Sequence, residues 1–295
     1  MPQIAGVAKG PQSRTKNRGG AVGCWRAVRP PAIVLAVPMT RQRPPRTASP
    51  EIYERIYKMF VAPVSAFDCG AKCAAHNDGV PVCCSTEAAI PIVDKHEWKL
   101  LKSRTDLWSE YKAPDKATEK ELSDLHHDCV AIECKGFMHC ERDNRSMSCR
   151  TFPFFPYIDR DGDFLGLSVF WTFEDRCWVQ SHLQIVNLRF VDEFVAAYES
   201  LFEVDRDEFT ANRDHSASMR RVFARFGRPI PLIGRDGLLY KVTPRDHKVM
   251  RARFAEFGRW GFYEKDAAAA PAKNWTQLDP ASLTGLDAPG KAAAD

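Results

Sequence analysis

The chain has 295 residues, 44% of them hydrophobic and 27% charged, proportions that exclude a fibrous or wholly unfolded polymer and leave ample length for a buried core. Its formal charge of +4 conceals an asymmetry: residues 1–48 hold nine basic side chains and no acid, leaving 33 basic against 38 acidic side chains in the rest. That mildly acidic body argues against a nucleic-acid partner, and no run approaches the roughly 18 apolar residues of a membrane span.

Residues 1–48 are rich in Pro, Gly and Arg and lack helical or strand periodicity, so a disordered basic segment is expected there. Its acid-free character matches an organelle transit peptide or translated upstream sequence, with Met39 as an alternative start. The short apolar run Ala32–Val37 does not make a secretory signal, and a cytoplasmic protein is expected. Ser49-Pro50 predicts an N-cap and first-turn proline, followed by Ile52, Ile56, Met59 and Phe60 on one helical face. Residues 68–90, punctuated by Gly, Cys and Pro, predict a loop around a site. Asp94–Arg104 predicts a helix and Lys116–His126 a second, weakly patterned one; 127–163 read as irregular.

Leu167–Phe173 predicts a buried strand. Phe190, Phe194, Tyr198 and Phe202 recur at helical spacing, as do Met219, Val222, Phe223 and Phe226 before Gly227. Pro231–Val242 predicts a hairpin turning at Asp236-Gly237. Thr243-Pro244 then predicts a last helix carrying Met250, Phe254 and Phe257. Residues 266–295 form an Ala/Pro-rich tail expected to lack order. The expected fold class is α+β: a cysteine-rich, irregular and helical metal-binding half over 49–180, with a small helix-and-hairpin part over 181–265 packed on it.

Ten cysteines are present, and all but Cys24 and Cys177 fall between Cys69 and Cys149. Cys69, Cys73, Cys83 and Cys84 form one group, and Cys129, Cys134, Cys140 and Cys149 a second. Disulfides require an oxidising compartment, and a bond between neighbours such as Cys83 and Cys84 is strained. No Cys-x-x-Cys redox pair exists. Metal ligation fits thiolates gathered in irregular chain. The number of thiols exceeds one tetrahedral zinc or one cubane cluster, each of which takes about four. The excess favours an iron–sulfur cluster, with zinc as the alternative. Adjacent Cys83 and Cys84 point apart if extended, so they are expected either to serve different metals or to include one structural thiol. Lys72, Lys135, Arg145 and Arg150 stand among the cysteines and are expected to lower nearby thiol pKa values.

The stretch Cys140-Glu-Arg-Asp-Asn-Arg145-Ser-Met-Ser-Cys149-Arg150-Thr-Phe152-Pro153 resembles the closing motif of the YkgJ-like cysteine-cluster family of zinc- or iron-chelating domains. Cys140, Arg145, Cys149, Arg150, Phe152 and Pro153 stand at matching spacing, while Arg142 replaces a tyrosine and Ser146 a proline. The family's opening CxxCxxCC cluster is here spread over sixteen residues, Cys69–Cys84. The resemblance covers residues 65–180 and implies metal ligands at Cys69, Cys73, Cys83, Cys84, Cys140 and Cys149. It adds Cys129, in preference to Cys134, between the blocks and Cys177 after them. The same domain occurs in flagellin lysine N-methylases, which would imply an iron–sulfur cluster and S-adenosylmethionine, although no Gly-rich strand–turn–helix is visible.

Three readings follow: a cluster- or metal-binding protein with a redox or accessory role, a protein lysine methyltransferase, and a zinc-stapled structural domain. Whether the protein is an enzyme, and which protein partner it meets, is left open by the residues. His126, His127 and His139 stand beside thiols as additional ligand candidates. Phe152, Phe154, Phe155 and Tyr157 are expected to wall the centre from water. Asp159-Arg-Asp161-Gly-Asp163 departs from a calcium loop in its glycine position and predicts a turn.

Overall fold

The computed structural model describes residues 48–265; the expectations for 1–47 and 266–295 lie outside them. Helix α1 (Pro50–Met59) begins after Ser49, as the Ser-Pro pair predicts, and buries Tyr53, Ile56 and Tyr57. α2 (Cys69–Ala74) is a single short turn capped by Asp68, whose carboxylate accepts from Ala71 N. β1 (Ile92–Asp94) runs straight into α3 (Lys95–Arg104), with Asp94 accepting from His96 N as the N-cap. β2 (Trp108–Glu110) and α4 (Lys116–Ser123) follow; α4 buries nothing, which accounts for its weak pattern.

The stretch expected to be irregular holds real elements: β3 (Cys129–Cys134), α5 (Met147–Thr151) and β4 (Phe154–Ile158). β3 is central in a three-stranded antiparallel sheet, order β1-β3-β2. Its two cysteines and single charge blurred the alternation that marks a strand. β4 is wholly buried, so its sequence shows no polar face at all.

β4 and β5 (Phe164–Val169) join β6 (Ile230–Gly234), β7 (Leu239–Val242) and β8 (Val249–Arg251) in a five-stranded antiparallel sheet ordered by sequence. The sheet therefore takes strands from both sides of position 180. The hairpin around Asp236-Gly237 is as expected, and the acidic stretch 159–163 is the β4–β5 turn. The last helix is not formed: Val249–Arg251 pairs with β7, and Phe254–Glu256 makes only a 3-10 turn. The strand satisfies backbone groups that an isolated helical turn would leave open.

α6 (Leu188–Val204) and α7 (Arg206–Phe226) cover this sheet. Asn187 caps α6, Asp205 caps α7, and Gly227 closes α7 in the left-handed conformation at φ +65. Phe154, Phe190, Phe194 and Phe60 form one cluster of tilted and edge-on rings, each ring fully buried and contributing roughly 1.5–3 kcal/mol. At Gly166 (φ +144) the strands approach so closely that a Cβ would lie 2.0 Å from Ile233 O. The core runs unbroken from α1 and α3 to β7. No helix among the described residues is long and apolar enough to cross a membrane.

Candidate metal centre

The cysteines converge on a cavity of about 420 Å³ between the 68–91 segment, the small sheet and the 133–149 segment. Cys83, Cys84, Cys134, Cys140 and Cys149 lie in its wall, beside Arg145, Asp68, Glu133, Trp108 and Phe137. Short capped elements aim each thiol. Val82–Cys84 is a 3-10 turn, so adjacent Cys83 and Cys84 do not alternate as in a strand. Their sulphurs sit 3.9 Å apart facing one cavity, contrary to the expectation that they point apart. Cys73 Sγ accepts from Val82 N at 3.4 Å and donates to Gly70 O, pinning α2 to that turn.

Cys149 rides on α5, whose N-cap Ser146 accepts from Cys149 N. α5 is fastened from outside: Ser148 Oγ donates to Ile92 O at 2.7 Å, and Met147 N donates to Glu97 Oε1 at 2.6 Å. Glu97 also accepts from Tyr57 OH at 2.6 Å, so one buried carboxyl joins α1, α3 and α5. Its burial raises its pKa to about 7 against the lowering effect of those two donors.

Burial, with neighbouring thiols adding, pushes Cys69 up to about 11 and Cys149 to about 12. Cys73, Cys134 and Cys177 are raised by burial as well. Cys83 is raised because it donates to Cys84, and the same hydrogen bond lowers Cys84 to about 7. The expectation that nearby basic residues depress the thiols thus holds only in part. Arg145 Nε donates to Cys140 Sγ at 3.1 Å. Arg150 instead donates to the carbonyls of Phe60, Asp143 and Arg145, Lys135 pairs with Asp106, and Lys72 lies over Trp178.

Cys69, Cys73 and Cys177 stand behind the wall, close enough to perturb one another's ionisation and that of Cys83. Cys129 is placed elsewhere: it pairs with Asp94 at the opposite end of β3 from Cys134 and is not among the free thiols. The five residue steps between their positions span roughly 17 Å and turn the two side chains to opposite faces. Cys134 is therefore the cysteine that sequence reasoning passed over, and recognising β3 as a strand was the missing signal. His126 and His127 sit with Cys129 at that far end, and exposed His139 is outside the cavity lining.

The aromatic residues expected to shield the centre do other work. Phe154, Phe155 and Tyr157 are buried under α6 and α7, and Phe152 packs on Phe170 and Phe173. Trp108 and Phe137 line the cavity instead. Among the described residues, no three cysteine sulphurs lie within 4.8 Å of one another. A single tetrahedral zinc, at about 2.3 Å from each sulphur, would hold them about 3.8 Å apart. The donor set thus spans a volume larger than one ion. Both sheets are antiparallel, so the described residues hold no parallel strand–turn–helix of the nucleotide-binding type. Comparison with protein-family models, with curated proteins and with solved structures found no match.

Proposed function

We propose that this is a cytoplasmic metal-binding protein whose clustered thiols hold an iron–sulfur cluster and which serves a redox or accessory role. The observation that carries this reading is the five-cysteine wall of one cavity, gathered from three separate chain segments. Thiolates in such number, with few histidines among them, are a soft donor set suited to iron–sulfur clusters. Their spread favours a multi-iron cluster over one zinc ion, because the thiolates of a cluster bind different irons. Arg145 on Cys140 supplies a positive charge and a hydrogen bond to a sulphur, two features that tune a cluster's potential.

Cys83, Cys84, Cys134, Cys140 and Cys149 are the nearest ligand candidates, with Cys69, Cys73 and Cys177 behind them. The resemblance of the 140–153 stretch to the YkgJ-like closing motif points the same way. Anaerobic purification followed by absorption spectroscopy, elemental analysis and acid-labile sulfide on one sample tests the reading. Brown protein with iron and sulfide in similar amounts supports it. Colourless protein holding stoichiometric zinc overturns the cluster and leaves zinc as the resident ion.

A further inference from the structure

A second constellation lies at the other end of β3. His126, His127 and Asp128 close the turn between α4 and β3, and one ligand atom from each falls within 4.8 Å of the other two. The imidazole centroids are 4.2 Å apart, and His127 Nε2 is 3.0 Å from Asp128 Oδ2. The backbone fixes the turn: Cys129 N donates to His126 O and Lys95 N donates to Asp128 O, both at 2.8 Å. A tetrahedral ion with ligand distances of about 2.0–2.2 Å needs its donors roughly 3.4 Å apart. Small rotations of the exposed His127 and the half-buried His126 and Asp128 side chains would reach that spacing.

A shared proton satisfies two of these groups at most, whereas a divalent cation satisfies all three. We propose that His126, His127 and Asp128 form a solvent-facing site for a borderline divalent cation such as Zn²⁺ or Co²⁺, separate from the thiol cavity. Two imidazoles and a carboxylate select ions of that class, and three protein ligands leave coordination positions for water or a small anion. Asp128 uses one oxygen, because Lys95 Nζ stands 3.6 Å from Oδ1. That ammonium opposes the bound cation and limits affinity.

The test is equilibrium dialysis of the full chain against Co²⁺, with absorption spectra of each sample. Wild type is expected to take up one equivalent that lacks thiolate-to-cobalt charge transfer. His126→Asn/His127→Asn loses that equivalent with an unchanged circular dichroism spectrum and unchanged thiolate-type absorption. Lys95→Gln tightens it by roughly three- to tenfold. The proposal is overturned if the double variant binds as many equivalents as wild type, or if the lost equivalent carries thiolate absorption. Neither outcome depends on the content of the cysteine cavity, which Cys84→Ser/Cys149→Ser reports separately.

Discussion

Glu97→Gln is the substitution that most directly tests how the frame holds the cysteine-bearing α5. The carboxyl is 2% exposed and receives both Tyr57 OH and Met147 N on Oε1. Glutamine keeps that oxygen and removes the ionisation. Because the folded-state pKa is raised from 4.5 to about 7, the folded protein holds this proton to higher pH than the unfolded chain does. The associated stability is fully present below pH 4.5 and is lost as pH rises through 7. At about 1.4 kcal/mol per pH unit, the span corresponds to about 3 kcal/mol. Asp94 and Asp205 also titrate high through burial, so the informative quantity is the difference between variant and wild type. Urea unfolding followed by circular dichroism between pH 4.5 and 8 should show the variant gaining about 3 kcal/mol on wild type up to pH 7, then no more. Parallel curves for the two proteins would refute the claim that a buried, ionisable Glu97 loads the joint.

Other substitutions probe the cavity and the sheet. Cys149→Ser and Cys134→Ser should each lower bound metal, while Cys129→Ser should leave it intact; equal metal in all three, by elemental analysis, would remove the cavity from consideration. Arg145→Gln withdraws a positive charge from Cys140 and should shift the centre's reduction potential downward in a spectroelectrochemical titration; an upward shift contradicts that role. Gly166→Ala drives a Cβ into Ile233 O and should cost roughly 2 kcal/mol or more. Gly79→Ala, at φ +79 with open space around it, should cost only about 1 kcal/mol, a contrast read from denaturation midpoints.

What could be read in the sequence followed from how each element buries itself. α6 and α7 each press one face on a sheet, so Phe190, Phe194 and Tyr198, and then Met219 and Phe223, stand at helical spacing and were legible. The β6–β7 hairpin was legible through its Asp-Gly turn. β3 and β4 were not: one has a cysteine at each end and a single charge breaking its alternation, and the other is buried on both faces. Met250, Phe254 and Phe257 imitate a helical stripe, yet Met250 is on an edge strand and 39% exposed, and Phe254 is buried by a separate turn. The cysteine cluster was legible from counting alone. The choice between Cys129 and Cys134 was not, because it depends on which end of a strand meets the 68–91 segment. Pairing across β3 decides that, and single-sequence spacing does not contain it.

The elements that carry the thiols are too short to hold themselves. α2 has six residues, α5 five, and the Cys83–Cys84 turn three, all below the length at which a helix persists alone. They are held by ties to the frame: Met147 to Glu97, Ser148 to Ile92, Arg150 to Phe60, and Cys73 to Val82. The frame itself rests on the aromatic core, which includes no proposed ligand except Cys177 among its buried members. Metal removal should therefore loosen the carriers and spare the frame. Hydrogen exchange on chelator-treated protein should keep amides of 154–169, 188–204 and 230–242 protected while those of 68–91 and 136–149 exchange faster. A zinc staple predicts the opposite, global loss of protection on chelation, since in such domains binding energy is folding energy. Uniform loss across both groups of amides would assign the metal to the fold, and selective loss would assign it to the site.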